Sequence, residues 1–191
     1  MKIINLIGNG ESRLTFDILS LNNYKIGCNA VFRDYNIDCL VAVDRRIVQE
    51  ALDCGFKKDI YTRSDWNSSF PFSPNVRVLP PLPYSGDLRE DDPWHWGTGT
   101  HAANLSATFK PKEIHLWGFD LWSKDQKINN IYKGTKNYDP ITHSSIDPRF
   151  WIYQLGKCFE KYPDITWIQH QTLGWIKPES WAQRNLVVNL S

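Results

Sequence analysis

The 191-residue chain carries 22 Lys and Arg against 21 Asp and Glu, a net charge of +1. That balance gives no broad field to hold a polyanion and leaves at most a local basic patch for nucleic acid. The length fits one domain over residues 1–191 with a sizeable core. No apolar run approaches a bilayer span and the Met1-Lys2-Ile3-Ile4 start leads into a strand pattern, so a cytoplasmic protein without a membrane anchor is expected.

In chain order, residues 2–7 form an apolar run closed by glycine and read as a buried first strand. Residues 11–21 place Leu14, Ile18, Leu19 and Leu21 at helical spacing. A short strand over 24–28 ends at Gly27-Cys28-Asn29, and a third over 39–43 is closed by Asp44. Residues 46–54 read as a helix that Gly55 stops. Weaker strands follow over 59–62 and 76–79. Residues 80–93 hold four prolines, a Ser-Gly pair and an acidic run, and read as a long ordered loop. A helix over 100–109 and a strand over 113–117 precede a polar loop, 123–147, whose composition suits a lid. Asp147 and Pro148 are the N-cap and first-turn signals of a helix reaching residue 161. A strand over 166–169 and a terminal helix over 179–184 complete the pattern. Strands alternating with helices predict an α/β fold, a single Rossmann-like domain with a mostly parallel, doubly wound sheet.

Two glycine turns stand out. The first, Gly8-Asn9-Gly10-Glu11-Ser12, follows the first strand. Glycine lets a backbone approach a phosphate or ribose, and a helix N-terminus supplies free N–H groups. The competing reading is a tight turn with Ser12 or Asn9 as a cap. The turn lacks the third glycine of a dinucleotide fingerprint and the Gly-Lys-Ser of a phosphate-binding loop. The second lies in Trp96 to Trp122, where Gly97-Thr98-Gly99 leads into a helix and a strand ends at Gly118-Phe119-Asp120. Asn29 and Asp44 sit at the carboxyl ends of strands, the edge where open α/β sheets bind ligands, although each is also a good helix cap. Asp44 can alternatively pair with Arg45 or Arg46.

His143, in the polar loop, is a residue type suited to take a proton from a hydroxyl nucleophile, or it is a solvated loop histidine. His95 and His101 flank the second glycine turn, and His115 alternates with apolar residues as a strand residue does. Tyr132 and Tyr138, with Lys133 and Lys136, offer phenol and ammonium donors for a leaving phosphate without a metal. No metal or other cofactor is expected, because the chain has no HExxH, no cysteine quartet and no Asp-x-Asp pair. Cys28, Cys39, Cys54 and Cys158 include no CxxC pair and read as reduced thiols. Nine tryptophans exceed what a core needs, so some are candidates for stacking on a sugar or base.

Taken in order, these motifs resemble the small bacterial sialyltransferases of glycosyltransferase family 42. Gly8-Asn9-Gly10-Glu11-Ser12 is similar to the family's Gly-Asn-Gly-Pro-Ser turn, and Cys28-Asn29-Ala30-Val31-Phe32 to its Cys-Asn-aromatic segment. Thr98-Gly99 stands for its Ser-Gly turn, and Lys112-Glu113-Ile114-His115-Leu116-Trp117-Gly118-Phe119-Asp120-Leu121-Trp122 for its Lys-Glu-Ile-x-Leu-x-Gly-x-Asp-x-aromatic segment. His143-Ser144 matches a His-Ser before the last long helix. The resemblance implies a GT-A-like domain and a metal-free, inverting transfer from a CMP-sugar to a hydroxyl acceptor such as a glycan. By that resemblance His143 is the base. Gly8, Asn9, Gly10, Ser12, Asn29, Asp44, Thr98, Gly99 and Asp120 surround the donor. Tyr132, Tyr138 and Trp122 lie near the leaving phosphate, Trp122 standing where the family has its first phosphate-binding tyrosine. The family also implies a homo-oligomer.

Two departures bear on the sugar. Asp44 replaces an Asn, and His95, a candidate sugar or acceptor contact, replaces an Arg. Losing a cation and gaining an anion disfavours a carboxylate-bearing sugar such as sialic acid. Asp38 and Asp44 after a Gly-Cys-Asn segment give a looser resemblance to the DUF115 proteins, which include a pterin diphosphokinase; that activity implies ATP, magnesium and Asp44 as a metal contact. Two further alternatives are transfer to a nucleic-acid base, which the near-zero charge disfavours, and a non-catalytic nucleotide-sugar binding module.

Overall fold

The computed structural model describes residues 2–81, 97–123 and 125–191. The expected loop at 80–93 and His95 therefore lie almost wholly outside the described residues. Eight strands form one sheet: β1 (Ile3–Ile7), β2 (Tyr24–Cys28), β3 (Cys39–Val41), β4 (Ile60–Thr62), β5 (Val76–Val78), β6 (Glu113–Trp117), β7 (Thr166–Gln171) and β8 (Leu186–Leu190). Their spatial order is β5-β4-β3-β2-β1-β6-β7-β8, and every pairing is parallel. The chain runs outward from β1 to β5, then returns to lay β6 against the free side of β1. The sheet thus has one switch point, between β1 and β6, and a crevice opens there beyond the strands' carboxyl ends.

Alternation along the strands splits the core in two. Ile4 and Leu6 of β1 point to one face with Ile114, Leu116 and Trp167; α3 (Thr98–Thr108) and α4 (Arg149–Lys161) cover that face. Ile7, Leu40 and Ile60 point to the other, under α1 (Arg45–Asp53) and the turns around Val31 and Ile37. Helix α3 is buried on nearly every side because it lies between the sheet and α4. Its small residues, Ala102, Ala103 and Ala107, are what let both neighbours approach. In α1, Ile47, Val48 and Ala51 share the buried stripe, and Gly55 (φ 78°) turns the chain left-handed just past the end. Phe159, Trp167 and Trp181 pack ring to ring at 5.1 Å beneath α4; truncating any one to Ala costs about 3–5 kcal/mol.

Three expectations fail. Residues 11–21 are not a helix. A 3-10 turn spans Glu11–Thr15, and Phe16 then turns extended, its ring meeting Trp117 and His170 edge-on at 5.2 and 6.1 Å. Leu14 and Leu19, placed at helical spacing in the sequence, are exposed. The terminal helix over 179–184 does not form either. Trp181 is drawn into the core with its indole N–H on the Ile152 carbonyl at 2.8 Å, and the chain continues into β8, an edge strand not anticipated. The third strand ends at Val41 rather than residue 43. A short helix, α2 (Ser64–Asn67), was also not expected. No helix of the described residues is long and apolar enough to cross a membrane.

Candidate functional site

A cleft of about 660 Å³ opens at the switch point, within the range of small-ligand sites. Its floor is the two strand-end turns, and they interlock. The Gly8 N–H donates to the Trp117 carbonyl at 2.7 Å and the Gly10 N–H to the Gly118 carbonyl at 2.9 Å. A Cβ on Gly8 would lie 2.6 Å from the Gly118 oxygen, and one on Gly10 would lie 2.5 Å from the Asp120 carboxyl carbon. The two glycines are required by the opposite turn as much as by any ligand. Asp120 locks the pair: its carboxylate accepts the Ser12 N–H at 2.9 Å, the Ser12 hydroxyl and the Gln171 side-chain amide at 3.2 Å. Asp120 borders the cleft with its oxygens engaged, and Ser12 lies behind it, outside the lining.

A polar wall stands over this floor. Asn29 starts the turn after β2 with φ 52°, a conformation Asn tolerates better than most residues. Its side-chain oxygen accepts the Thr98 hydroxyl at 2.8 Å. The Tyr138 hydroxyl accepts two N–H groups, from the Asn9 side chain at 3.1 Å and the Ala30 backbone at 3.2 Å. Both lone pairs are then filled, so its proton is free to point into the cleft. Burial pushes the Tyr138 phenol up to about 12, outweighing the hydrogen bonds that lower it, so it stays a donor. The Asn9 side-chain oxygen is buried with no partner among the described residues. Opposite lies the N-terminus of α3. The Thr98 and Gly99 amides have no acceptor within the helix and carry its positive end. The Lys133 ammonium lines the same cleft, held by the Glu11 carboxylate and by the Ile128 carbonyl at 3.3 Å. Burial pushes the Cys28 thiol well up, which removes it as a nucleophile.

The remainder of the cleft is aromatic and apolar, with Trp122, Phe150, Trp151, Ile128 and Ile146. Trp122 stacks on Trp175 (5.8 Å, 13°), whose indole N–H donates to the Asp120 carbonyl at 3.0 Å. Gln154 ties this half to the other: its side-chain oxygen accepts the Thr100 hydroxyl at 2.9 Å and holds α4 against the start of α3. Phe150, Trp151, Asp139 and the 145–147 segment are lining residues that the sequence reading did not single out. The helix signal at Asp147-Pro148 was the available clue, because it places the first turn of α4 at the sheet's carboxyl edge.

The loop expected to be a lid is ordered rather than open polymer. Lys127 and Ser144 form an antiparallel bridge at its base. The Ile131 N–H reaches the Asn9 carbonyl at 2.9 Å. Arg33 grips its far end, donating to the Thr135 hydroxyl at 2.8 Å and the Lys136 carbonyl at 2.9 Å while paired with Glu50. Tyr132 is an anchor. Its hydroxyl donates to Asp34 at 2.6 Å and accepts from the fully buried Arg13 at 3.0 Å, and Arg13 also holds the Gly8 carbonyl at 2.7 Å. Tyr132 is therefore not at the cleft, and of the two tyrosines Tyr138 alone lines it.

Gly8, Asn9, Gly10, Asn29, Thr98, Gly99, Asp120, Trp122 and Tyr138 are thus brought together. Ser12, Asp44, Tyr132 and His143 are not on the lining. Asp44 caps α1, accepting the Arg46 backbone N–H at 2.8 Å and pairing with its guanidinium at 2.8 Å. His143 is exposed, its ring nitrogen 3.8 Å from the cleft-lining Asp139 carboxylate. His101 is buried in α3, where desolvation and then Arg63 press its pKa down to about 4. Among the described residues, no group of three or more His, Cys, Asp or Glu is placed to hold a metal.

No family model matches the chain, and no curated protein matches it. Solved structures do. The fold is similar to the monofunctional alpha-2,3-sialyltransferase Cst-I of Campylobacter jejuni (TM-score 0.63, 14% identity, covering 88% of this chain and 75% of that one). It is also similar to the sialyltransferase CstII of the same organism, solved with the substrate analogue CMP-3FNeuAc (TM-score 0.60, 13% identity, 88% and 81% covered) and with cytidine-5'-monophosphate (TM-score 0.57, 14% identity, 88% and 79% covered). The single-domain, GT-A-like α/β fold expected from the sequence is the fold observed.

Proposed function

We propose that this protein is a glycosyltransferase that binds a nucleotide-sugar in the switch-point cleft and transfers the sugar to a hydroxyl acceptor. The observation that carries the reading is that one cleft is lined by the Tyr138 hydroxyl, which already accepts two N–H groups, and by Thr98 and Gly99 at the N-terminus of α3. Such a set suits a phosphate that gains negative charge as its bond to the sugar breaks. The fold likeness to CstII, solved with CMP and a CMP-sugar analogue, favours cytidine as the base of the donor.

In this reading the acceptor oxygen attacks the anomeric carbon from the side opposite the phosphate. The carbon–oxygen bond to the phosphate breaks with inversion, CMP leaves, and the acceptor's proton passes to His143. The donor set needs no metal to receive the leaving charge. His143 is the candidate base because its exposed ring lies 3.8 Å from the carboxylate of Asp139, which borders the cleft. Three carboxylates, Asp120, Asp139 and Asp147, border the cleft, and its one cation among the described lining residues, Lys133, is already paired with Glu11. This balance favours a sugar without a carboxylate. Asp44 as a helix cap paired with Arg46 weakens the pterin-diphosphokinase alternative, which requires it as a metal contact.

Thermal unfolding with CMP, UDP and GDP at equal concentrations tests the donor site. A ligand present at 100 times its Kd stabilises by about 2.7 kcal/mol, and CMP is expected to give the largest shift. If none of the three raises the melting temperature, the folded chain binds none of these nucleotides and the donor-site reading fails. Replacing His143 with Ala separates an enzyme from a binding module: nucleotide binding is retained and turnover falls by about 10²–10⁴.

A further inference from the structure

Helix α1 turns Ile47, Val48 and Ala51 toward the core, and Glu50 is buried with them. A carboxylate in that position costs stability unless it is fully paired, and an apolar residue of similar volume would serve the packing as well. The Glu50 oxygens accept three N–H groups. Arg33 donates from Nε to Oε1 at 2.7 Å and from Nη2 to Oε2 at 2.8 Å, and the Asn137 side-chain amide donates to Oε2 at 2.7 Å. The hydrogen bond from Arg33 leads in holding the Glu50 carboxyl below the ordinary carboxylate range, so at neutral pH it is ionised and only accepts.

Both partners of Glu50 act on the segment that carries Tyr138. Arg33 ends the short turn Asn29–Arg33, and the same turn supplies the Ala30 N–H to the Tyr138 hydroxyl at 3.2 Å. The guanidinium holds the Thr135 hydroxyl at 2.8 Å and the Lys136 carbonyl at 2.9 Å. Its carbon lies 5.5 Å from the centre of the Tyr132 ring and 5.7 Å from that of Tyr138, within cation–π range of both. Asn137 stands directly before Tyr138 with φ 67°, and this left-handed residue sets the direction from which the chain brings Tyr138 to the cleft. Glu50, Arg33 and Asn137 do not line the cleft. Glu50 and Asn137 border a separate groove of about 310 Å³ beside α1.

We propose that Glu50 is a positioning residue: through Arg33 and Asn137 it fixes the left-handed turn that aims the Tyr138 hydroxyl into the cleft, and it does so without touching the ligand. The inference rests on the phosphate role proposed for Tyr138. A donor held in place before the ligand arrives pays no ordering cost on binding, and a displacement of about 1 Å is enough to forfeit much of its effect. Glu50→Gln keeps the side chain's size but offers one acceptor oxygen to three donors. Its amide N–H groups then face Arg33 or Asn137, and one of the two loses its hold.

Calorimetric titration with CMP of the wild type, Glu50→Gln, Tyr138→Phe and the double variant tests it. Glu50→Gln is expected to weaken CMP binding by at least about fivefold in the wild-type background and by less than about twofold in the Tyr138→Phe background, where the hydroxyl it acts through is already gone. A purely structural role predicts the same loss in both backgrounds. Equal losses, or no loss in either, overturn the proposal. A wild-type chain that does not bind CMP refutes the donor-site reading instead, and the positioning is then read without ligand. In protein carrying 3-fluorotyrosine, the Tyr138 fluorine resonance is identified by its loss in Tyr138→Phe. It is expected to shift or split in Glu50→Gln, and an unchanged resonance overturns the positioning itself. Circular dichroism and melting curves establish that each variant is folded. If Glu50→Gln is not, Asn137→Ala, which deletes one link and strains the left-handed turn, takes its place in the same cycle and the same spectra.

Discussion

Replacing Tyr138 with phenylalanine removes one oxygen and keeps the ring, and the proposed function gives that oxygen two separable jobs. The first is to donate its proton to the nucleotide phosphate. A hydrogen bond to a charged group is worth about 1.5–3 kcal/mol, so the affinity for CMP is expected to fall roughly 10- to 150-fold. The second is to accept from the Asn9 side chain at 3.1 Å and the Ala30 N–H at 3.2 Å. Asn9 can turn toward water in the cleft; the Ala30 amide is fixed in the backbone and is left unpaired. A buried donor without a partner costs about 1–3 kcal/mol. For a chain of this size that lowers the melting temperature by roughly 2–12 °C. Calorimetric titration with CMP reads the first effect and scanning calorimetry of the free protein reads the second. A variant that melts lower yet binds CMP as well as wild type would show that the hydroxyl only braces Asn9 and Ala30, and the phosphate role would be refuted.

Two further predictions concern the floor and the sheet. Gly10→Ala pushes a methyl group to 2.5 Å from the Asp120 carboxyl carbon and 2.7 Å from the Gly118 carbonyl, and neither neighbour is a flexible tip. It should destabilise the protein by about 1–3 kcal/mol and weaken nucleotide binding, measured by urea unfolding and by titration; wild-type stability would mean that the turns are not interlocked as described. His170 is held down to about 4, first by burial and then by His115. A histidine more acidic when folded than when unfolded contributes stability that is present above its ordinary pKa of about 6.5 and is lost as pH falls toward 4. Urea midpoints should decline across that window. In His170→Phe, whose ring can still stack on Trp117, the slope should flatten; an unchanged slope would assign the titration to another group.

How much the sequence disclosed depends on where each element takes its instructions. β1, β2 and β6 were legible because each is a short apolar run ended by a glycine or a polar turn. α1 and α4 were legible because Asp44 and Asp147 mark their starts, each accepting the backbone N–H two residues on. Residues 11–21 misled because their leucine spacing is helical while tertiary contacts decide the outcome. Asp120 takes Ser12, and Trp117 and His170 take Phe16. β8 was missed for a related reason, since a five-residue neutral strand following a turn gains its identity from β7 alone. The two tyrosines illustrate the limit within the site. Nothing local separates Tyr132 from Tyr138; Arg13 and Asp34, about a hundred positions away, select the first as an anchor and leave the second for the cleft.

The interlock between the turns after β1 and β6 also sets when the site can exist. Asn5 pairs with His115 and Ile7 with Trp117, so the floor joins segments separated by some 110 residues of chain. Closing so long a loop is slow and must precede the contacts that reward it. During synthesis, β1 to β5 can associate as a half-sheet while β6 is still in the ribosome. That intermediate exposes the edge of β1, which only β6 will cover. The ligand cleft is thus a product of the final closure, and a nascent chain without β6 has half a sheet and no floor on which a nucleotide can rest.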